Sequence, residues 1–239
     1  MPPFSTLVIA THNRKKAGEM IHILAARFPE VEFKTLADYA DATEPEETGT
    51  TYAENATIKA ESAAAFTGEW SLADDAGLEI DALDGAPGLH SKRFEGEDTP
   101  FPEKMARILD LLKDVPDERR TARFRCCIAL SSPIHGGSAQ RAMGAHPNDQ
   151  EGRVPKAQSQ PPTTNREPQT KTFEATCEGC IAHQPSGAGG FGYDPIFYLP
   201  ELKCTMADLT PDQKHAISHR GKVLRALTEY LSGPKTLKP

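Results

Sequence analysis

Residues 70–88, WSLADDAGLEIDALDGAPG, read as a single strand running into a turn closed by Gly85, Pro87 and Gly88, and the fold is organised around it. Successive strand side chains point to opposite faces, so Leu72, Asp74, Ala76, Leu78 and Ile80 share one face, while Asp75, Gly77, Glu79 and Asp81 share the other. The neighbouring aspartates therefore cannot both serve one site. Asp74 travels with apolar residues and is expected to face the core, where it must accept hydrogen bonds because a buried unpaired carboxylate is costly. Asp75 travels with polar residues and is the candidate for a wet cleft, an assignment that a bend at Gly77 would undo.

On the N-terminal side of this strand, Thr51 with Glu54 three residues later makes a capping-box signature, and a helix is expected from about Tyr52 to Phe66. An acidic loop, DYADATEPEETGT at 38–50, precedes it. Earlier still, the apolar run Thr6 to Ala10, the polar turn THNRKK and the helical spacing of Met20, Ile21, Leu24 and Phe28 give strand, loop and helix. On the C-terminal side, Thr99 and Pro100 introduce a helix with Met105, Ile108, Leu109 and Leu112 on its apolar face. Two alternating strands follow, one with Ala122, Phe124, Cys126, Ile128 and Leu130 in register, the other with Phe173, Ala175, Cys177, Gly179 and Ile181. Between them, residues 133–171 hold six prolines and four glycines but no Leu, Phe, Tyr or Trp, and are expected to be a flexible insertion at a hairpin tip. A last helix is expected from about Pro211, capped by Thr210, to Leu231. There is no internal repeat.

The 239 residues suffice for one good core, or two lobes that share one, and the 38% apolar content is ordinary. Lys plus Arg number 27 against 34 Asp plus Glu, and a net charge of −7 opposes broad attraction to nucleic acid or an anionic membrane. Any anionic ligand then needs a local basic cluster. Five cysteines, an odd number that includes the neighbours Cys126 and Cys127, make no disulfide framework and fit a reducing cytoplasm. The opening MPPFSTLVIATHNRKK has too short an apolar run for a secretory signal and is expected to be a first strand. No segment approaches the roughly 20 apolar residues of a bilayer span.

The chemistry-bearing residues fall in a few places. In the turn at 11–16, Thr11, Asn13 and Lys16 stand near a helix N-terminus, where phosphate is favoured; an ordinary polar turn has the same pattern, since P-loop glycines are lacking. Lys59 shares a helix face with Asn55 and either reaches a phosphate or is a solvated surface lysine. Glu44, Glu46 and Glu47 would suit Mg²⁺ if they meet Asp75 in space, although most acidic loops only solvate. Residues 188–223 bring together ring surface from Phe191 and Tyr193, the carboxylate of Asp194, and donors from Lys214, His215, His219 and Arg220, a set suited to a nucleotide. His215 and His219 have zinc-ligand spacing on one expected helix, but no glutamate follows the first, so zinc is not expected there. Cys177 and Cys180 form a CxxC whose members lie on opposite strand faces, and Cys177 is expected in the core.

Five ordered blocks, IATHNRKK (9–16), EETGTTYAENATIKA (46–60), LADDAGLEIDALDGAPGLHSKRF (72–94), GAGGFGYDPIF (187–197) and TPDQKHAISHRGKVL (210–224), closely resemble the inosine triphosphate pyrophosphatase family. The resemblance implies an α/β fold with a long mixed β-sheet flanked by helices. It implies two lobes around a central cleft within a single domain over 1–239, usually assembled as a homodimer. It implies Mg²⁺-dependent hydrolysis of ITP, dITP and XTP between the α- and β-phosphates to monophosphate and pyrophosphate, which cleanses the nucleotide pool. Carried over onto this chain, Thr11, Asn13 and Lys16 would cradle the triphosphate, Lys59 would add a cation, and Glu47 with Asp75 would hold magnesium. Asp75 would also accept the proton of the attacking water. Phe191, Gly192, Tyr193 and Asp194 would lie against base and sugar, and Lys214, His219 and Arg220 would read the purine. Ala76 departs from bacterial relatives, which commonly have a serine there; a backbone contact to substrate survives the change and a hydroxyl contact does not.

Inosine and xanthine present an acceptor at position 6 where adenine presents an amino donor, so donors from His219 or Arg220 would favour the oxo bases. Guanine shares the 6-oxo group, so its rejection must act at position 2. Three rival readings stand beside this one: a related nucleotide pyrophosphatase with another base preference, which needs the same phosphate apparatus; a nucleotide-binding sensor without turnover, which keeps the cationic groups but could spare Glu47 and Asp75; and a zinc-binding scaffold.

Overall fold

The computed structural model describes residues 2–133 and 168–233; most of the expected insertion, residues 134–167, lies outside them. A seven-stranded mixed sheet runs in the order β2-β1-β3-β4-β5-β6-β7. Strand β1 (Thr6–Ile9) pairs in parallel with β2 (Glu32–Thr35) and with β3 (Trp70–Ile80). Strands β4 (Thr121–Ser131), β5 (Thr170–Ile181), β6 (Phe197–Leu199) and β7 (Cys204–Thr205) then add antiparallel. The helices are α1 (Arg14–Ala25), α2 (Tyr52–Thr67), α3 (Phe101–Leu111), α4 (Pro211–Ile217) and α5 (His219–Ser232). This is the expected α/β class with a mixed sheet. Among the described residues no helix is long and apolar enough to cross a membrane, and all five cysteines are free thiols.

The register of β3 on β4, Asp74 opposite Ile128 and Leu78 opposite Phe124, keeps the even-numbered residues of both strands on one face. Two separate cores form on that face. Leu72, Ile128 and Leu130 pack with Met20 and Leu24 of α1 and with Val223 and Leu227 of α5. Further along the same strands, Leu78, Ile80 and Phe124 pack with Met105 and Ile108 of α3 and with Phe197 of β6. Each fully buried Leu or Ile contributes about 1.5–3 kcal/mol, so both ends are firmly anchored while Asp74 and Ala76 stand in the gap between them. On the opposite face Ala73, Cys127 and Ala129 meet Ala56, Ala60 and Ala63, whose small side chains bring α2 close to the sheet.

Local chemistry sets the helix boundaries. The Asn13 carboxamide oxygen accepts from the backbone N–H groups of Lys15 and Lys16, both at 3.1 Å, and so starts α1. The capping box read at Thr51 and Glu54 is present, and Gly68 ends α2 in the left-handed conformation. Strand β3 runs unbroken through Gly77. Where the insertion leaves the sheet, Ser131 pairs with Thr170, so the two strands flanking it lie side by side.

The expected single helix from Pro211 to Leu231 is two helices. Ser218 is extended (ψ 156°), its N–H closes α4 on the Lys214 carbonyl at 2.8 Å, and its hydroxyl accepts from Gly221 N at 3.1 Å to start α5. A serine able to cap offers the backbone an alternative to a continuous helix. Gly221 lets the two helices meet closely, since a Cβ there would lie 1.8 Å from the His215 carbonyl oxygen. Gly221→Ala is therefore expected to cost about 1–3 kcal/mol or more in urea unfolding, through overpacking against backbone that cannot yield. Strands β2, β6 and β7 were not expected from the sequence; at four, three and two residues they are too short to show a period.

Candidate active site

The gap between the two cores opens into a cleft of about 460 Å³, a volume suited to a nucleotide-sized ligand. Every residue expected to bind substrate lines it: Thr11, Asn13 and Lys16 from the β1–α1 turn, Ala76 from β3, Phe191 to Asp194, Lys214 from α4, and His219 and Arg220 from α5. Glu47 and Lys59 line it too.

Of the two neighbouring aspartates, the one that lines the cleft between the two cores is Asp74, not Asp75. Parity correctly separates the two residues, but the apolar companions of Asp74 belong to different cores, and the face they share is interrupted where Asp74 stands. The side chain of Asp74 is 1% exposed and amply partnered. It accepts from Arg220 Nη2 at 2.8 Å and Nε at 3.3 Å, and from Lys16 Nζ at 3.3 and 3.4 Å. Burial alone would raise its pKa, but Lys16 and Arg220 override burial and hold the carboxyl well below the usual range.

Asp75, on the other face, reaches the cleft through Lys59. The Lys59 ammonium donates to Asp75 Oδ1 at 3.0 Å and to Glu47 Oε1 at 2.9 Å. Burial works against its charge, and Asp75, Asp74 and Glu47 together outweigh it, so Lys59 stays protonated. Burial pushes the Asp75 pKa upward, with Lys59 opposing. Glu47 also accepts from Arg93 Nη2 at 3.1 Å, and its own carboxyl is lowered because Lys59 and Arg93 outweigh burial. Of the other two loop glutamates, Glu44 accepts from the backbone N–H of His12 at 2.6 Å, and Glu46 is exposed.

The other end of the cleft is aromatic and cationic. Lys214 Nζ lies 2.8 Å from Asp194 Oδ2, 2.9 Å from Glu19 Oε1 and 4.5 Å from the centre of the Phe191 ring. Arg220 sits 5.6 Å from that ring and donates from Nη1 to Glu19 Oε2 at 2.8 Å. Asp194 folds back to accept from Phe191 N at 2.8 Å, which requires glycine at 190: a Cβ there would fall 2.1 Å from the carboxylate. The Tyr193 hydroxyl is tied to the Ser91 carbonyl at 2.9 Å, so this residue offers ring surface only. His219 is buried and stacks on Phe124 at 4.9 Å between ring centres. Burial first, then Arg220 and Lys214, lower its pKa well below the usual imidazole range, so the ring is neutral. Its Nδ1 is buried with no hydrogen-bond partner among the described residues. A buried polar atom left orphaned at a cleft wall is a place for a ligand's polar edge.

Sequence reasoning missed Glu19, the residue that binds Lys214 and Arg220 to α1. Its three-residue spacing from Lys16 on one helix face was the available signal. Lys104 also lines the cleft, but its ammonium donates to the carbonyls of Lys92 and Gly96, so it holds the loop before α3 in place. His215 and His219 occupy different helices and share no cluster, while Cys177 is buried in the second core as expected.

Residues 7–154 and 156–230 match the Ham1 family. A protein from Desulforamulus reducens named dITP/XTP pyrophosphatase is 42% identical over 226 residues, covering 95% of both chains. One of the same name from Geobacillus kaustophilus is 44% identical over 223 residues, covering 93% of this chain and 92% of its own. The solved structure of a HAM1 protein from Coxiella burnetii superposes with a TM-score of 0.74 at 36% identity, covering 96% of this chain and 99% of that one. These matches bear out the kinship read from the five sequence blocks, and the chain belongs to the Ham1 family.

Proposed function

We infer that this chain hydrolyses non-canonical purine nucleoside triphosphates, ITP, dITP and XTP, to the monophosphate and pyrophosphate. Its relatives at about 40% identity over most of the chain carry the name dITP/XTP pyrophosphatase. The observation that carries the reading is that one cleft has lysines and a helix N-terminus at one end and ring surface with buried cations at the other, joined by Asp74, which accepts from Lys16 at one side and Arg220 at the other.

At the phosphate end, Lys16, Lys59 and the N-terminus of α1 offset the charge of a triphosphate. Glu47 and Asp75 are two hard oxygen donors, one from a loop and one from a strand, that converge on one ammonium. This donor set suits a divalent cation that takes one or two carboxylates and completes its shell with water and phosphate, and we propose Mg²⁺. When bound, the ion supplies Lewis-acid neutralisation of the phosphate oxygens. Asp75 orients the attacking water and accepts its proton, and pyrophosphate leaves from the α-phosphorus while Lys16 and Lys59 stabilise the growing charge. Chelation with EDTA is expected to abolish turnover, and added Mg²⁺ to restore it.

At the base end, Phe191 offers its ring to the base and sugar. Neutral His219 presents an uncommitted ring nitrogen, and Arg220 is locked in place by Asp74 and Glu19. Donors so fixed favour a 6-oxo purine over adenine, because an amino group facing them leaves buried donors unpaired. Pyrophosphate release across ITP, dITP, XTP, ATP and GTP tests the reading. A kcat/KM for the first three at least about 100-fold above ATP is expected, and equal rates would overturn it. A homodimer is part of the proposal, and sedimentation reads it.

A further inference from the structure

The geometry points to a metal site outside the cleft: we propose that His22, Asp212 and His215 bind one divalent transition-metal ion, zinc foremost, clamping α1 to α4. The ligating atoms of these three side chains all lie within 4.8 Å of one another. His22 Nε2 is 3.7 Å from Asp212 Oδ1, and the two imidazole rings are 5.3 Å apart between centres, tilted by 45°. Ligands around tetrahedral zinc, each at about 2.0–2.1 Å from the ion, stand about 3.3 Å apart, so small side-chain rotations close the site. Two imidazoles and one carboxylate favour zinc, cobalt or nickel over magnesium, which prefers oxygen. The side chains of His22 and Asp212 are 64% and 92% exposed, which leaves room for water as a fourth ligand.

Fixed backbone carries these ligands. His22 lies in the last turn of α1, and Asp212 and His215 stand three apart on α4, so both project from one face of that helix. The His215 carbonyl accepts from Arg225 Nη1 at 2.8 Å and abuts Gly221, which pins α4 on α5. A simple surface ion pair between His22 and Asp212 would not need a second imidazole within reach. The clamp sits outside the joint whose inner side is the Glu19–Lys214 pair at 2.9 Å. Metal there holds the base end of the cleft without touching the reaction, so this inference stands or falls apart from the hydrolytic one.

The test uses the full-length protein, stripped of metal and titrated with Zn²⁺ by calorimetry in excess Mg²⁺, beside His22→Gln and His215→Gln. One equivalent should bind to wild type, and binding should weaken by at least about tenfold in each variant while circular dichroism is unchanged. Cobalt in place of zinc should give the strong visible bands of four-coordinate nitrogen and oxygen ligation, lost in both variants. No binding, equal affinity in all three proteins, or a cobalt-thiolate charge-transfer band placing the ion on cysteine would each overturn the site.

Discussion

Asp75→Asn is expected to lower kcat for ITP hydrolysis by about 10²- to 10⁴-fold, the usual weight of a general base, with the fold intact. Asparagine has nearly the shape of aspartate, and Lys59 keeps its partner Glu47 at 2.9 Å, so no buried charge is left alone. What is lost is one negative oxygen of the pair proposed to hold the metal and the group proposed to take the proton from water. Burial, which pushes the Asp75 pKa upward, makes the carboxylate a better base than an exposed aspartate, and Lys59 keeps it ionised. Pyrophosphate release under saturating ITP and Mg²⁺ is the measurement. Turnover close to wild type would remove Asp75 from the chemistry.

Arg220→Ala is expected to destabilise the protein by about 3–5 kcal/mol, because removing one member of a buried ion pair strands the others. Arg220 is 3% exposed and satisfies both Asp74 and Glu19. Without it Asp74 is left to Lys16, whose side chain is 22% exposed, and Glu19 to Lys214. In a chain of this size each kcal/mol is about 2–4 °C of melting temperature, so the change is readable by calorimetry as well as by urea. The protein that still folds should show a lower ITP-over-ATP ratio in kcat/KM. A stability within about 0.5 kcal/mol of wild type would mean that Asp74 and Glu19 do not depend on this guanidinium.

Much of this was legible in the sequence, and for physical reasons. The long strands β3, β4 and β5 carry a period of two over enough residues to fix their faces, and the caps at Thr51 and Thr210 mark helix starts through hydrogen bonds made within four residues. The candidate residues gather around one cleft from different kinds of place: Thr11, Asn13 and Lys16 lie where β1 gives way to α1, Asp75 and Ala76 lie within β3, Lys59 lies midway along α2, and His219 and Arg220 open α5. What the sequence hid was non-local. Whether Asp74 faces a core or a cleft depends on where α1, α3 and α5 stop covering the sheet, and strand parity carries no such information. The break at Ser218 depends on how closely α5 approaches His215, a contact that only Gly221 permits. Glu19 gains its role from Lys214 and Arg220, 195 and 201 residues away in sequence.

On the proposed mechanism the cleft directs water to the α-phosphorus of an oxo-purine triphosphate. Hydrolysis of ITP with Mg²⁺ in water labelled with heavy oxygen, followed by mass analysis of both products, tests it most directly. Inosine monophosphate carrying the label, beside unlabelled pyrophosphate, is the predicted result. Label in pyrophosphate, or release of single phosphates with a diphosphate left behind, would contradict it.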